Sequence, residues 1–174
     1  IITNAKGIHV TPVSEFTMGL LLYFSKQFKG CEKFFENKKW TQWELASNII
    51  QLKDKTIGIV GYGSIGKGIA KKAKAFGMNV IAVRRLQKIV EKKKIVDELL
   101  PTSKLNHLLK NSDFIIISCP LTPLTKGLIG MEELDKMKSS AFIVNIARGE
   151  IIDENALIEA LKQKKVAGAA LDVF

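Results

Sequence analysis

Short apolar runs alternate with segments of helical period along most of this 174-residue chain. The run Thr56-Ile57-Gly58-Ile59-Val60 reads as a buried strand. After a glycine-rich turn, Ile69, Ala73 and Phe76 recur at helical spacing up to Gly77, a residue suited to ending a helix. A second buried strand is expected over residues 79–83. After a charged stretch, Ser103 opens a short helix through Leu105, Leu108 and Leu109 that stops near Asn111. Phe114-Ile115-Ile116-Ile117-Ser118 and Ala141-Phe142-Ile143-Val144-Asn145 read as further strands, with a short helix over 131–137 between them. Asp153 caps a helix carrying Leu157 and Leu161, and residues 166–173 supply a last strand. Strands buried on both faces and alternating with helices predict an α/β fold built on a doubly wound parallel sheet.

The first fifty residues follow another pattern. Thr11 offers a cap and Pro12 a first helical position, and Val13, Phe16, Leu20, Phe24 and Phe28 follow at helical spacing, predicting a long N-terminal amphipathic helix. Phe34, Phe35, Trp40 and Trp43 stand among lysines, and a helix lying alone could not bury them. They are expected to pack on a core or on a partner subunit. The organisation expected is one domain, with residues 1–52 as an amphipathic helical preface and residues 53–174 as core.

Composition narrows the class. With 47% hydrophobic and 25% charged residues, the chain falls among soluble globular domains. No apolar run is long enough to span a membrane. Cys31 and Cys119 are far apart and lack CxxC spacing, so neither a disulfide framework nor a zinc site is expected, and a reducing cytoplasm is the simplest home. The net charge of +10 admits a phosphorylated ligand. The densest basic cluster, Lys88 with Lys92, Lys93 and Lys94, lacks the interleaved aromatics of single-strand binders, which disfavours nucleic acid. Ile1 is no initiator, and the opening residues do not have the form of a signal peptide. The chain reads as cut from something longer.

Chemistry concentrates first at Gly61-Tyr62-Gly63-Ser64-Ile65-Gly66, between a predicted strand and helix. There Gly61 makes a tight turn, Gly63 lets backbone approach a pyrophosphate, and Gly66 brings helix against strand, the fingerprint of a Rossmann-type dinucleotide site. The residue ending the next strand normally meets the adenosine ribose. Here it is Arg84, followed by Arg85. A carboxylate about 4 Å from a 2′-phosphate would cost roughly 4 kcal/mol at an effective dielectric near 20, whereas an arginine hydrogen bond contributes about 1.5–3 kcal/mol. This leans to NADP rather than NAD. At the other end, Arg148 leaves a buried strand at the carboxyl edge of the sheet, where a guanidinium can grip a carboxylate with two parallel bonds.

In combination these segments resemble the D-isomer-specific 2-hydroxyacid dehydrogenases. The resemblance is carried by Gly61 to Gly66, by Asn111-Ser112-Asp113 through Pro120-Leu121-Thr122-Pro123-Leu124-Thr125 to Ile129, and by Met137 through Asn145-Ile146-Ala147-Arg148-Gly149 to Asp153. The opening Thr11-Pro12-Val13-Ser14-Glu15-Phe16 and the closing Ala170-Leu171-Asp172-Val173-Phe174 extend it over essentially the whole chain. The resemblance implies that Arg148 binds the substrate carboxylate and helps polarise its carbonyl, and that Asp172 holds the nicotinamide carboxamide. It further places Ser64 and Ile65 against the pyrophosphate, Cys119 and Pro120 along the cofactor groove, Thr125 at a phosphate, and Ile146 and Ala147 beside the nicotinamide.

The activity so implied is hydride transfer between NAD(P) and C2 of a small 2-hydroxy or 2-oxo acid of the hydroxypyruvate, glyoxylate or phosphoglycerate class. A histidine acts as acid/base and a glutamate tunes it, both expected beyond Phe174. His9 and His107 fit neither role and read as structural. The resemblance also implies a substrate domain not present in this chain, and a homodimer formed through residues 11–43, which serve as a dimerisation arm. Two alternatives share the pattern, a formate- or phosphite-type dehydrogenase and a dinucleotide-sensing corepressor-like binding protein.

Overall fold

In the computed structural model residues 7–38, 40, 42–85 and 90–174 are described. Residues 1–4, Lys88 and the side chains of residues 91–93, on which parts of the sequence reading fall, lie outside the described set.

The strands are β1 (Thr56–Val60), β2 (Asn79–Val83), β3 (Glu91–Lys93), β4 (Val96–Leu100), β5 (Phe114–Ile117), β6 (Phe142–Asn145) and β7 (Gly168–Leu171). They form one sheet in the order β3-β4-β2-β1-β5-β6-β7, parallel throughout except for the β3–β4 pair at one edge. The helices are α1 (Val10–Ser25), α2 (Phe28–Asn37), α3 (Gln42–Ala46), α4 (Ser64–Ala75), α5 (Leu105–Asn111), α6 (Met131–Asp135) and α7 (Glu154–Lys162). The predicted Rossmann-type α/β architecture is thus present.

Side chains alternate across the sheet, so each strand feeds two cores. Ile57, Ile59, Val80, Ala82, Phe114 and Ile116 face α1 and α4, where they meet Met18, Leu21, Ile69 and Ala73. Val60, Ile81, Val83, Ile115, Ile117 and Ile143 face the other layer and meet Leu108, Leu109, Leu134 and Leu157. A strand covered on both faces has no polar alternation, which is why these runs are uniformly apolar. Asp153 caps α7 as expected, its carboxylate accepting the Ala156 N–H at 3.0 Å.

Two expectations are corrected. The charged stretch after Val83 holds a parallel strand, β4, and the antiparallel edge strand β3. Its acidic pair hid it, because Asp97 is spent on structure: Oδ2 accepts the Val80 N–H at 2.7 Å and the Lys74 ammonium at 2.5 Å. The second correction concerns α1, whose fully buried residues are Ser14, Thr17, Met18, Leu21 and Ser25, while of the predicted stripe Val13, Phe16, Leu20, Phe24 and Phe28 only Leu20 and Phe24 pack, partly buried, against the core. A Cβ on Gly68 of α4 would stand 2.8 Å from Val10 and 3.3 Å from Ser14, so the two helices approach too closely for bulky residues between them. Of the predicted stripe, Phe24 does reach the sheet, stacking on Phe142 at 4.7 Å between ring centroids. Phe16 and Phe28 are left exposed, and α1 ends before Phe28, which begins α2.

Candidate functional site

From β1 the chain winds outward to β2 and β4, then crosses back to β5 on the opposite side of β1. A doubly wound sheet opens its ligand crevice at that reversal, beyond the carboxyl ends of the strands. The glycine turn sits there, tied down from both sides. The N–H groups of Gly61 and Tyr62 donate to the Val83 carbonyl, each at 3.1 Å, and the Ser118 hydroxyl donates to the Gly61 carbonyl at 2.8 Å.

The three glycines have three different physical reasons. Gly61 has φ +106°, and a Cβ there would lie 2.6 Å from the Cys119 backbone nitrogen. At Gly63 nothing lies within 4 Å of the place a Cβ would take, which leaves an open cradle before the N-terminus of α4. A Cβ on Gly66 would collide with the Gly61 carbonyl, so this residue sets how closely α4 packs on the turn. A turn backed by protein on one side and open on the other fits the pyrophosphate of a dinucleotide, with the unpaired N–H groups of a helix start behind it.

One cleft brings together Gly61, Tyr62, Gly63, Ser64, Arg84, Arg85, Cys119, Pro120 and Thr125. Arg84 is held where β2 ends by donating its N–H to the Leu100 carbonyl at 3.0 Å, and both arginine side chains are exposed. Among the described residues lining this cleft no side chain is acidic, whereas Lys67, Arg84 and Arg85 are cationic. Burial pushes the Cys119 thiol up, making it a neutral wall of the cleft rather than a thiolate. Burial likewise raises the Tyr62 phenol, whose ring is part of the core facing α4. The Thr125 hydroxyl is engaged within its own loop, donating to the Pro120 carbonyl at 2.7 Å while the Thr122 N–H donates to it at 2.8 Å.

Ile65 and Gly66 back the glycine turn and do not line the cleft. Ile146, Ala147, Arg148 and Asp172 stand apart from the cleft lining, in the loops that follow β6 and β7. There the Arg148 guanidinium is exposed and donates to the Ala147 carbonyl at 2.6 Å, and the Asp172 N–H donates to the Asn145 carbonyl at 2.9 Å. His107 Nε2 lies 3.0 Å from the Glu98 carboxylate, and neither His107 nor His9 lines the cleft.

The profile of the D-isomer specific 2-hydroxyacid dehydrogenase NAD binding domain matches residues 18–174. The chain belongs to this family. It is 40% identical to a D-3-phosphoglycerate dehydrogenase of Methanocaldococcus jannaschii, covering 100% of this chain and 32% of that protein. It is 38% identical to a glyoxylate reductase of Thermococcus litoralis, covering 99% and 53%. Among solved structures it resembles an NAD-dependent formate dehydrogenase from Staphylococcus aureus in complex with NAD, with a TM-score of 0.87 at 28% identity, covering 97% of this chain and 49% of that one. The chain spans about half or less of the length of the curated relatives it matches.

Within this family member the sequence reading passed over Lys67, Thr102 and Thr122, which the fold also sets along the cleft. Lys67 could have been found, because it lies one turn into the helix that starts at the glycine turn, with its N–H donating to the Gly63 carbonyl at 3.0 Å. Thr102 could not be placed while β4 went unrecognised. It follows the strand that pairs with β2 and therefore emerges beside Arg84.

Proposed function

We propose that in the intact protein this domain binds a nicotinamide dinucleotide in the cleft and serves hydride transfer to and from C2 of a small 2-hydroxy or 2-oxo acid. The observation that carries the reading is the glycine turn at the sheet's winding reversal, open at Gly63 and flanked by cations. When bound, the dinucleotide would donate the hydride in its reduced form or accept it in its oxidised form. The chain's own residues do the rest: Gly61, Tyr62, Gly63, Ser64, Ile65 and Gly66 form or back the pyrophosphate seat, and Cys119, Pro120 and Thr125 wall the groove. Ile146 and Ala147 flank the nicotinamide, Asp172 holds its carboxamide, and Arg148 orients the substrate carboxylate.

Arg84 and Arg85 favour the 2′-phosphate of NADP, since β2 ends in cations where NAD sites place an acid. The named relatives of higher identity, a phosphoglycerate dehydrogenase and a glyoxylate reductase, favour 2-hydroxy acids over formate. The domain organisation proposed is a preface (1–52) and a core (53–174) with a substrate domain elsewhere, and that last element is supported by the chain's spanning about half or less of those relatives.

A homodimer formed through the N-terminal helices would cover Phe35, Trp40 and Trp43, which are 89%, 85% and 83% exposed. Among the described residues no helix is long and apolar enough to cross a membrane. The two unpaired thiols, Cys31 and Cys119, suit a reducing cytoplasm.

The test is calorimetric titration of the intact protein with NADPH and NADH at two salt concentrations, followed by assay with glyoxylate and hydroxypyruvate. Tighter, salt-sensitive NADPH binding with turnover of a 2-oxo acid is expected. Binding of neither dinucleotide would overturn the reading, and binding without turnover would favour the sensor-like alternative.

A further inference from the structure

Asn145 is the last residue of β6, and its side chain is completely buried although it is polar. Both ends of its amide are used locally. Oδ1 accepts the Ala147 N–H at 3.0 Å, and Nδ2 donates to the Arg148 carbonyl at 2.9 Å. The Arg148 guanidinium in turn donates to the Ala147 carbonyl. One buried amide therefore brackets the two residues whose backbone carries and receives the arginine. Backbone bonds hold the loop at its ends, the Ile146 N–H donating to the Ile117 carbonyl at 3.2 Å and the Ile151 N–H to the Arg148 carbonyl at 3.3 Å, and between them the Asn145 amide is the side chain that ties Ala147 and Arg148 to the end of β6.

We infer that Asn145 is a positioning residue for Arg148: it sets the direction in which the guanidinium meets the substrate carboxylate without touching substrate itself. The inference rests on the proposed role of Arg148. A burial-driven reason for an asparagine here is weak, since an apolar residue would serve a strand end facing the core better. An amide offers what the loop needs, one acceptor and one donor about two bonds apart, with the geometry of a short side-chain-closed turn. A bidentate contact between guanidinium and carboxylate is strongly directional, so a loop free to turn loses alignment before it loses stability.

The experiment is a double-mutant cycle on the intact protein with Asn145→Ser and Arg148→Lys, reading kcat and KM for glyoxylate together with the Kd for the dinucleotide. Asn145→Ser is expected to lower kcat/KM by about tenfold to about a hundredfold, as for a small misplacement of a catalytic group, with dinucleotide Kd nearly unchanged. In the Arg148→Lys background the same substitution is expected to have little further effect, because the group it aligns is gone. An equal loss in both backgrounds, or a parallel loss of dinucleotide binding, would overturn the inference and mark Asn145 as merely structural. If Arg148→Lys alone leaves kcat/KM unchanged, the inference falls with the role of Arg148, whereas retained dinucleotide binding would keep the cofactor reading standing. Should Asn145→Ser not fold, Asn145→Asp keeps the acceptor toward Ala147 and removes the donor toward Arg148, and the same cycle applies with the same expected non-additivity.

Discussion

No side chain fits between Gly61 and Cys119. A Cβ on Gly61 would stand 2.6 Å from the Cys119 nitrogen, and the φ of +106° is itself unfavourable for any other residue. Gly61→Ala is therefore expected to destabilise the fold by about 2–4 kcal/mol through left-handed strain and overpacking together. Urea unfolding checks this, and a loss below about 1 kcal/mol would contradict the geometry.

Gly63 offers the opposite case. With open space where its Cβ would be and an extended backbone at φ −88°, Gly63→Ala is expected to leave stability within about 0.5 kcal/mol of the parent. The methyl group would nevertheless stand in the pyrophosphate seat and weaken both dinucleotides by about tenfold or more. Unchanged Kd values would place the phosphates elsewhere.

Replacing Arg84 and Arg85 separately by Ser tests the 2′-phosphate assignment. NADPH binding is expected to weaken by about tenfold to about a hundredfold at each productive arginine, the worth of a charged hydrogen bond. NADH should change little, and the gap between the two should narrow as salt rises. Equal losses for both dinucleotides would assign the arginines to the shared pyrophosphate instead.

Asp97 links acid stability to the edge of the sheet. Partial burial pushes its carboxyl up, but the Lys74 ammonium and the Val80 N–H outweigh this and hold it below its ordinary value. A carboxyl lowered in the folded state stabilises at pH above its unfolded value of about 3.9, and that contribution is lost as pH falls through the folded value. Asp97→Asn is expected to cost about 1–2 kcal/mol at pH 7, allowing for solvent screening of a half-exposed pair. The difference from the parent should shrink below pH 4. A constant difference across pH in thermal unfolding would refute the linkage.

Trp43→Glu combined with Phe35→Glu is expected to convert a dimer into a monomer in sedimentation while leaving dinucleotide binding intact, because neither residue lines the cleft. A parent protein that already sediments as a monomer would refute the proposed interface.

Much of this molecule was legible in one dimension because its central strands are buried on both faces. β1, β2, β5 and β6 stand where the apolar runs predicted them, and the turn from Gly61 to Gly66 announced itself by glycines whose need for φ, closeness or openness is local. β4 was not legible, since its central Asp97 and Glu98 make sense only beside Lys74, Val80 and His107. Nor was the buried face of α1, because Ser14 and Thr17 are inside for the sake of a close approach to Gly68, a residue far along the chain.

The sequence by itself determined the fold class and the place of the glycine turn, which follow from periodicity and short-range conformational preference, and it carried the family through the resemblance of its motifs. Only the tertiary structure decided that Thr102 joins Arg84 and Arg85 at one cleft, that His107 is spent on Glu98, and that Asn145 closes the loop of Arg148. Those relationships depend on which strand lies beside which and on where a buried amide finds its partners, and pairing between distant segments leaves no periodic trace in the chain.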